Sequence, residues 1–375
     1  MIMRLRNIII LLTSVTGALC AAVDLPTSTP PDRSHVQERN VPDPRRLVAR
    51  RMNAALDFLR SAQNEDGSFG SQQVHLQTGL AILAFLSQGA VPEKEARAPL
   101  PAACRWLLLN SGENGFLGDG DFPMESSAVA ALALSETLGM LPDHELDRNV
   151  AQRADQALQY ALSVQDKAQG GEYTGGWKAD PKRENNDRRV TAWYLLFLKS
   201  MEMRGRQVPE ANIKRGLAFL ACSQKLPGAT PQYDKADLGG FSYDAAGLPV
   251  ISITAAGLAC MSLFDFKTAN RNLAMEWFNR HPPIWYGPNF YDTYFFATRG
   301  YVREKNRGAA PAQQADEFFS RIWQILSEHQ NPDGSFEVPP GNAENTHGMG
   351  KTYATPMAIL ILNAERNLMP IDAVE

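Results

Sequence analysis

The stretch QNEDGSFG fills positions 63–70, and QNPDGSFE fills 330–337. A phrase written twice so far apart points to an internal repeat, and a repeat decides the architecture before any other signal. Upstream of the first copy, Met52, Ala55, Leu56, Leu59 and Ala62 recur at i, i+3, i+4, i+7 spacing, the mark of an amphipathic helix. Downstream, LQTGLAILAFL at 76–86 is apolar nearly all round, as a helix buried on most sides should be. The same pair recurs as ALQYALSVQ (157–165) with TAWYLLFL (191–198) and as RGLAFLACSQ (215–224) with ITAAGLACMSL (253–263). It recurs again as FFSRIWQILSEHQ (318–330) with YATPMAILIL (353–362). Two eroded copies are RWLLLNSGENGF (105–116) before SSAVAALALSETL, and AMEWFNRHPPIWYG (274–287) before YDTYFFATRGY. Six helix hairpins follow, none able to bury both faces alone, so neighbours must stack.

The quoted phrase is therefore expected to be a structural joint. Its glutamine can satisfy late carbonyls of the outer helix. Gly67 and Gly334 permit a sharp turn. The aromatic that follows (Phe69, Phe116, Trp177, Phe241 or Phe336) can plug the gap between hairpins.

The chain starts with a short basic segment, then runs IIILLTSVTGALCAA to small residues near Ala22. That reads as a cleaved signal peptide over 1–22, and the protein is expected to be exported, periplasmic or extracellular. A retained anchor is the alternative, but the apolar run falls short of the roughly 20 residues a span needs. Cleavage removes Arg4 and Arg6 and takes the formal charge from −4 to −6. Mild acidity gives no reason to expect nucleic acid. Residues 23–46, rich in proline and charge, read as a linker or arm, and 366–375 as a tail. Cys104, Cys222 and Cys260 sit in apolar helical context, where cysteine packs as a small hydrophobe; a Cys222–Cys260 bridge is the one pairing considered.

The pattern aromatic–Leu–x3–Gln followed by Gly–x–aromatic is carried by Phe58, Leu59, Gln63, Gly67 and Phe69, and by Phe219, Leu220, Gln224, Gly239 and Phe241. It resembles the QW repeat of squalene-hopene and oxidosqualene cyclases, within the superfamily that includes protein prenyltransferase β-subunits and complement-type thioester domains. The resemblance covers about 47–365. It implies an all-α fold, an (α/α)6 toroid with an inner ring of apolar helices and an outer ring of amphipathic ones. Shorter helical repeats, at ~34 or ~40–47 residues, do not explain the joint.

What the resemblance implies for chemistry is mostly negative. The cyclase acid motif Asp-x-Asp-Asp-Thr-Ala falls on Asp187-Arg188-Arg189-Val190-Thr191-Ala192, where arginine and valine replace the two acids. An ion-paired aspartate stays ionised and is a poor proton donor. The prenyltransferase zinc motif falls on Asp292-Thr293-Tyr294, with tyrosine for cysteine, and its later histidine falls near Ala354. The thioester sequence is absent. HGMGKTYAT lacks the spacing of a phosphate loop.

The inner helices open with small hydroxyl residues, Thr78, Ser127, Thr191, Thr254 and Thr355, and the loops before them should face the central cavity. Candidate catalytic groups there are Asp187, Asp292, His75 and His347. Candidate ligand-binding groups are Glu125, Trp177, Arg188, Arg189, Tyr243, Asp244, Tyr291, Tyr294, Lys351 and Tyr353. Each can equally be a helix cap or a salt bridge. Together they could line a ligand site with acid, base and aromatic surface. No cofactor is expected; a metal held by His75, His347 and a carboxylate is the weaker alternative. The expected function is a binding toroid for an isoprenoid-like, lipidic or polymeric ligand in its central cavity. The alternatives are an enzyme of terpenoid or glycan type that uses the carboxylates and histidines, or a structural interaction module.

Overall fold

The computed structural model describes residues 44–89, 98–168, 174–228, 233–244, 246–267, 269–340, 348–366 and 368–372. The leader, most of the arm and His347 lie outside these residues. Six outer helices are α1 (Pro44–Ala62), α3 (Pro99–Leu109), α5 (His144–Val164), α7 (Glu210–Ala221), α9 (Arg271–Arg280) and α11 (Ala309–Glu328). They alternate with six inner helices, α2 (Val74–Leu86), α4 (Pro123–Glu136), α6 (Arg188–Met203), α8 (Ile251–Leu263), α10 (Phe290–Lys305) and α12 (Lys351–Leu362). Each inner helix packs on the next, and α12 returns to α2. The result is the closed (α/α)6 toroid that the family resemblance implied, with every hairpin where the periodicity put it. Helix α1 begins at Pro44, inside the stretch read as an arm. No described helix is long and apolar enough to cross a membrane.

The apolar inner helices are buried almost completely; in α2 this holds from His75 to Leu86. The outer helices bury one stripe only, as α5 does through Leu146, Val150, Ala154, Ala157, Leu158 and Ala161. All three described cysteines are free thiols, so the Cys222–Cys260 bridge does not form.

The joints explain the repeated phrase. Asn64 and Asn331 each accept a turn-closing bond from the glycine N–H three residues on, at 2.9 and 3.0 Å. Asp66 and Asp333 accept from both the backbone and the hydroxyl of the following serine. The glutamine does more than serve its own helix. Gln63 donates to Gly67 O at 2.9 Å and to Pro99 O at 2.8 Å, at the start of the next outer helix. Gln165 reaches Gly175 and Asn212 in the same way, and Gln224 reaches Gly239 and Asn270. Gln330 donates to Gly334 O and to Arg51 O at 2.8 Å, which closes the ring onto α1. The two eroded joints substitute an arginine from the following outer helix: Arg153 donates to Gly112 O at 2.6 Å, and Arg321 to Pro283 O at 2.8 Å.

A second bond fixes where each inner helix starts. The N–H of Phe69, Trp177, Phe241 and Phe336 donates to Thr78, Thr191, Thr254 and Thr355 at 2.9–3.0 Å. In the second hairpin Leu117, not Phe116, takes this place and donates to Ser127 at 3.2 Å. In the fifth, Ile284 N donates to the Tyr294 hydroxyl at 3.3 Å.

At the C-terminal ends of the inner helices, neighbours are tied by polar pairs: Ser135 with Ser200 at 2.7 Å, Ser262 with Glu304 at 2.6 Å, and Asn363 with Ser87 at 3.1 Å. The segment expected as a tail lies across this end. Met369, Ile371 and Asp372 are buried. Asp372 pairs with Arg299 of α10 at 3.2 Å, while Ile371 N donates to Glu136 of α4 at 3.3 Å. Glu136 also accepts from Ser200 at 2.5 Å. Burial pushes the Glu136 carboxyl up to about 7 despite these donors.

Two outcomes follow for stability. At Gly334 the backbone has φ +88°, and an added Cβ would stand 2.1 Å from Ala54 O of α1. Gly334→Ala is expected to cost about 2–3 kcal/mol in urea unfolding, by strain and by opening the closing joint. Glu136 holds its proton more tightly folded than unfolded. Its contribution therefore falls as pH rises from the ordinary carboxyl range through about 7. Glu136→Gln should remove on the order of 1–3 kcal/mol of that decline, read as a flatter plot of unfolding free energy against pH.

Candidate functional site

The hydroxyl clip sets a common register for the six inner helices. Two residues before each clip residue stand Leu76, Glu125, Arg189, Ser252, Asp292 and Tyr353. They form one layer at the N-terminal mouth of the ring. Helices α4 and α10 face each other across a ring of six, so Glu125 and Asp292 approach from opposite sides. Arg189 of α6 joins them. Its guanidinium lies 3.0 Å from Glu125 Oε2 and 3.5 Å from Asp292 Oδ2, with the three side chains only 13%, 6% and 6% exposed. The Tyr353 hydroxyl donates to Asp292.

Asp187 caps α6, accepting from Arg189 N at 2.8 Å and Val190 N at 3.0 Å. A two-residue antiparallel ladder, Trp177–Lys178 with Asn186–Asp187, brings it there. From that position it adds negative potential at both Glu125 and Arg189. Tyr243, on the loop before α8, sits at the exposed rim of the same cluster.

The electrostatics follow from burial. Desolvation pushes the Glu125 carboxyl up to about 7; Arg189 opposes this, while Asp292 and Asp187 add to it. Desolvation also raises Asp292, against Arg189 and the Tyr353 hydrogen bond. For Arg189 burial alone would lower the pKa, but Glu125, Asp292 and Asp187 outweigh it, so the guanidinium stays charged. Three carboxyls thus share one arginine, and Glu125 can carry a proton near neutral pH. A buried carboxyl that holds its proton can donate it, or donate a hydrogen bond.

Below this layer the axis is occupied. Trp193 of α6 stacks on Phe295 of α10 at 4.5 Å and meets Phe296 at 5.0 Å. Helix α8 stands between α6 and α10 in the ring, so these rings meet inside it. Arg299 lies over Phe295 at 3.8 Å, above its pairing with Asp372. Aromatic side chains therefore fill the axis below the Glu125–Arg189–Asp292 layer.

Of the residues singled out from sequence, Glu125, Asp187, Arg189, Asp292, Tyr243 and Tyr353 come together. His75 does not join them. Its Nε2 lies 2.9 Å from Asn110 O and its Nδ1 3.3 Å from Asp119 Oδ1, with Trp106 packed on its ring, so it ties α2 to the end of α3. Among the described residues no group of three histidine, cysteine or acidic side chains could hold an ion, and His347, the other histidine of the metal alternative, lies outside them. Trp177 is fully buried, stacked on Tyr194 and bonded to Ala161 O, so it plugs the joint and offers no face to a glycan. Tyr294 is the fifth clip, and the Tyr291 hydroxyl donates to Glu337 O at 2.6 Å. Arg188 anchors the rim loop through Tyr243 O and packs on Phe219. Asp244 accepts through its carbonyl from Lys225 and Ser242. Lys351 pairs with Asp333 at 3.0 Å, within the last joint. Ser252 and Trp193 escaped the sequence reading. Counting back from the clip would have found Ser252, and one turn on from Arg189 would have found Trp193.

Arg189→Met should leave two buried carboxyls without their cation, a loss of about 3–5 kcal/mol at pH 8. The loss should be smaller at pH 5 than at pH 8, since burial raises both carboxyls toward their neutral forms, and Glu125→Gln with Asp292→Asn in the same chain should rescue it. Chemical unfolding of the three variants at both pH values measures this.

Comparison with solved structures places the fold. An inactive variant of the alpha-1,6-mannanase of Salegentibacter sp. HEL1_6, in complex with alpha-1,6-mannotriose, matches 86% of this chain and 99% of its own at 10% identity and TM-score 0.57. A family 76 glycoside hydrolase from a bovine Bacteroides thetaiotaomicron strain matches 83% of this chain and 76% of its own, at 10% identity and TM-score 0.50. The apo type II terpene cyclase from Scytonema matches 85% and 98%, at 14% identity and TM-score 0.48. No sequence-family model matches the chain, and no curated protein sequence does. At such identities the likeness speaks to the fold alone, and the fold is the α/α toroid that the resemblance implied.

Proposed function

We propose that this chain is an exported toroid that binds a hydroxyl-rich ligand, a segment of glycan, at the N-terminal mouth of its ring. The observation that carries the reading is the buried Glu125–Arg189–Asp292 bridge with Tyr353 at its edge. A hydrocarbon placed against these groups would strip their water without replacing the hydrogen bonds. A polyhydroxyl ligand can both donate to the carboxylates and accept from Arg189. The aromatic packing of Trp193 with Phe295 and Phe296 further disfavours a long isoprenoid along the axis.

A second reading, hydrolysis, has one specific observation in its favour. Burial holds a proton on Glu125 up to about pH 7. Glu125 could give that proton to the leaving oxygen as the glycosidic C–O bond breaks, while Asp292 takes one from the attacking water. For this, Arg189 must swing clear of at least one carboxyl.

Isothermal titration with alpha-1,6-mannotriose, other neutral oligosaccharides and geranylgeraniol tests the proposal. An oligosaccharide should bind, and Asp292→Asn should weaken it by about tenfold or more. Binding of the isoprenoid alone, unchanged by Asp292→Asn, would overturn it. Release of reducing ends that disappears in Glu125→Gln would select hydrolysis over binding.

A further inference from the structure

The end of the ring opposite the mouth holds two buried carboxyls, Glu136 and Asp372, and one short segment ties them together. Leu368 stands beside Gly89, just past α2, and the single turn Pro370–Asp372 packs on α6. From there the segment reaches α4 and α10. Glu136 of α4 accepts from Ile371 N at 3.3 Å, and Asp372 pairs with Arg299 of α10 at 3.2 Å. Arg303, one turn further along α10, donates to Ile371 O at 2.6 Å. Met369 and Ile371 supply the apolar part of the contact, both buried. One short turn held by so few bonds can open while a ring of stacked helices stays shut.

The charges around the segment depend on its being shut. Glu136 is faced by Ser200 and Arg204 of α6, by Asp372 of the segment and by Arg299 of α10. Arg204 donates to the Glu136 backbone O, and Arg299 is paired with Asp372. The Glu136 carboxyl itself is held by the Ser200 hydroxyl and the Ile371 N–H. Asp372 is faced by Arg299 and Arg303. Helices α2 and α12 bring Ser87 and Asn363 to this end, and neither titrates. We propose that Met369–Asp372 is a latch on this end of the ring, shut while Glu136 carries a proton and released as its carboxylate forms.

Closure takes Glu136 out of water and sets Asp372 beside it. Desolvation is the larger effect, and it pushes the Glu136 carboxyl up to about 7 against Ser200, the Ile371 N–H and Arg204. Burial raises Asp372 too, against Arg299 and Arg303. Both carboxyls then bind protons more tightly with the latch shut than with it open. The shut form has its full advantage below the ordinary carboxyl range and loses it as pH rises through about 7. Release returns water to both carboxyls and frees the Arg299 guanidinium, which lies on Phe295 at the foot of the aromatic packing. The axis becomes reachable from the end away from the mouth.

The test is hydrogen exchange with mass spectrometry on the intact protein from pH 5 to pH 8, corrected for the intrinsic rate of each amide. The peptide that contains Ile371 and Asp372 should show an open population about tenfold or more larger at pH 8 than at pH 5, since each unit of pKa difference is worth tenfold. Amides within α4 and α10 should stay protected throughout. In Glu136→Gln the rise should shrink to about twofold or less. A flat wild-type profile at this peptide would overturn the latch. An equal rise in α4 and α10 would do the same, because the carboxyls would then titrate only with unfolding of the whole ring. A rise in Glu136→Gln as large as in the wild type would overturn Glu136 as the trigger. Should that variant not fold, the wild-type comparison of the segment with α4 and α10 decides alone.

Discussion

One hydrogen bond sets the geometry on which the rest of this molecule depends. The N–H of a joint residue donates to a side-chain oxygen near the start of the inner helix, and this happens in all six hairpins. The bond pins the helix start relative to the joint, and the joint is pinned to the next outer helix by glutamine or arginine. Rotation and height of every inner helix are then shared. A layer of residues at one end of the ring becomes possible only because six helices keep the same register.

The two joints that depart from the pattern belong to the two hairpins that supply Glu125 and Asp292. Both exchange the outgoing glutamine for an arginine that reaches back from the following outer helix. The staple is thereby kept while the joint itself is rewritten. In the fifth hairpin the departure goes further, because a tyrosine oxygen replaces the threonine oxygen. The longer side chain reaches the joint from one turn within α10, and Asp292 keeps its place at the mouth.

The fold was legible in the sequence because its signals are local: helix period, joint glycine, plug aromatic and hydroxyl start. The site was half legible. Glu125, Asp187, Arg189, Asp292, Tyr243 and Tyr353 were visible as polar residues near inner-helix starts, a position that helix caps and salt bridges share. His75, Trp177, Tyr294 and Lys351 share that location, yet they face a neighbouring joint instead of the axis. Which way a side chain faces is a question of rotation about the helix, and the list of hydroxyl starts fixed position along the chain without fixing rotation. The segment around Ile371 was opaque for another reason. Its partners are Arg299 and Glu136, both distant in sequence, and no local pattern encodes such a partner.

Ring closure has a consequence for how this molecule comes to be folded. An open solenoid can add hairpins one at a time, and its ends need polar capping repeats. Here Gln330 bonds to Arg51, and α12 packs on α2, so the first hairpin caps the last. Neither end of the array has a finished surface until the other arrives. The entropy of joining positions 279 apart must be met before the closing contacts return anything. An otherwise helical protein, rich in contacts near in sequence, thus acquires one very distant step on its way to the native state. Its folding rate should be governed by that step rather than by helix formation.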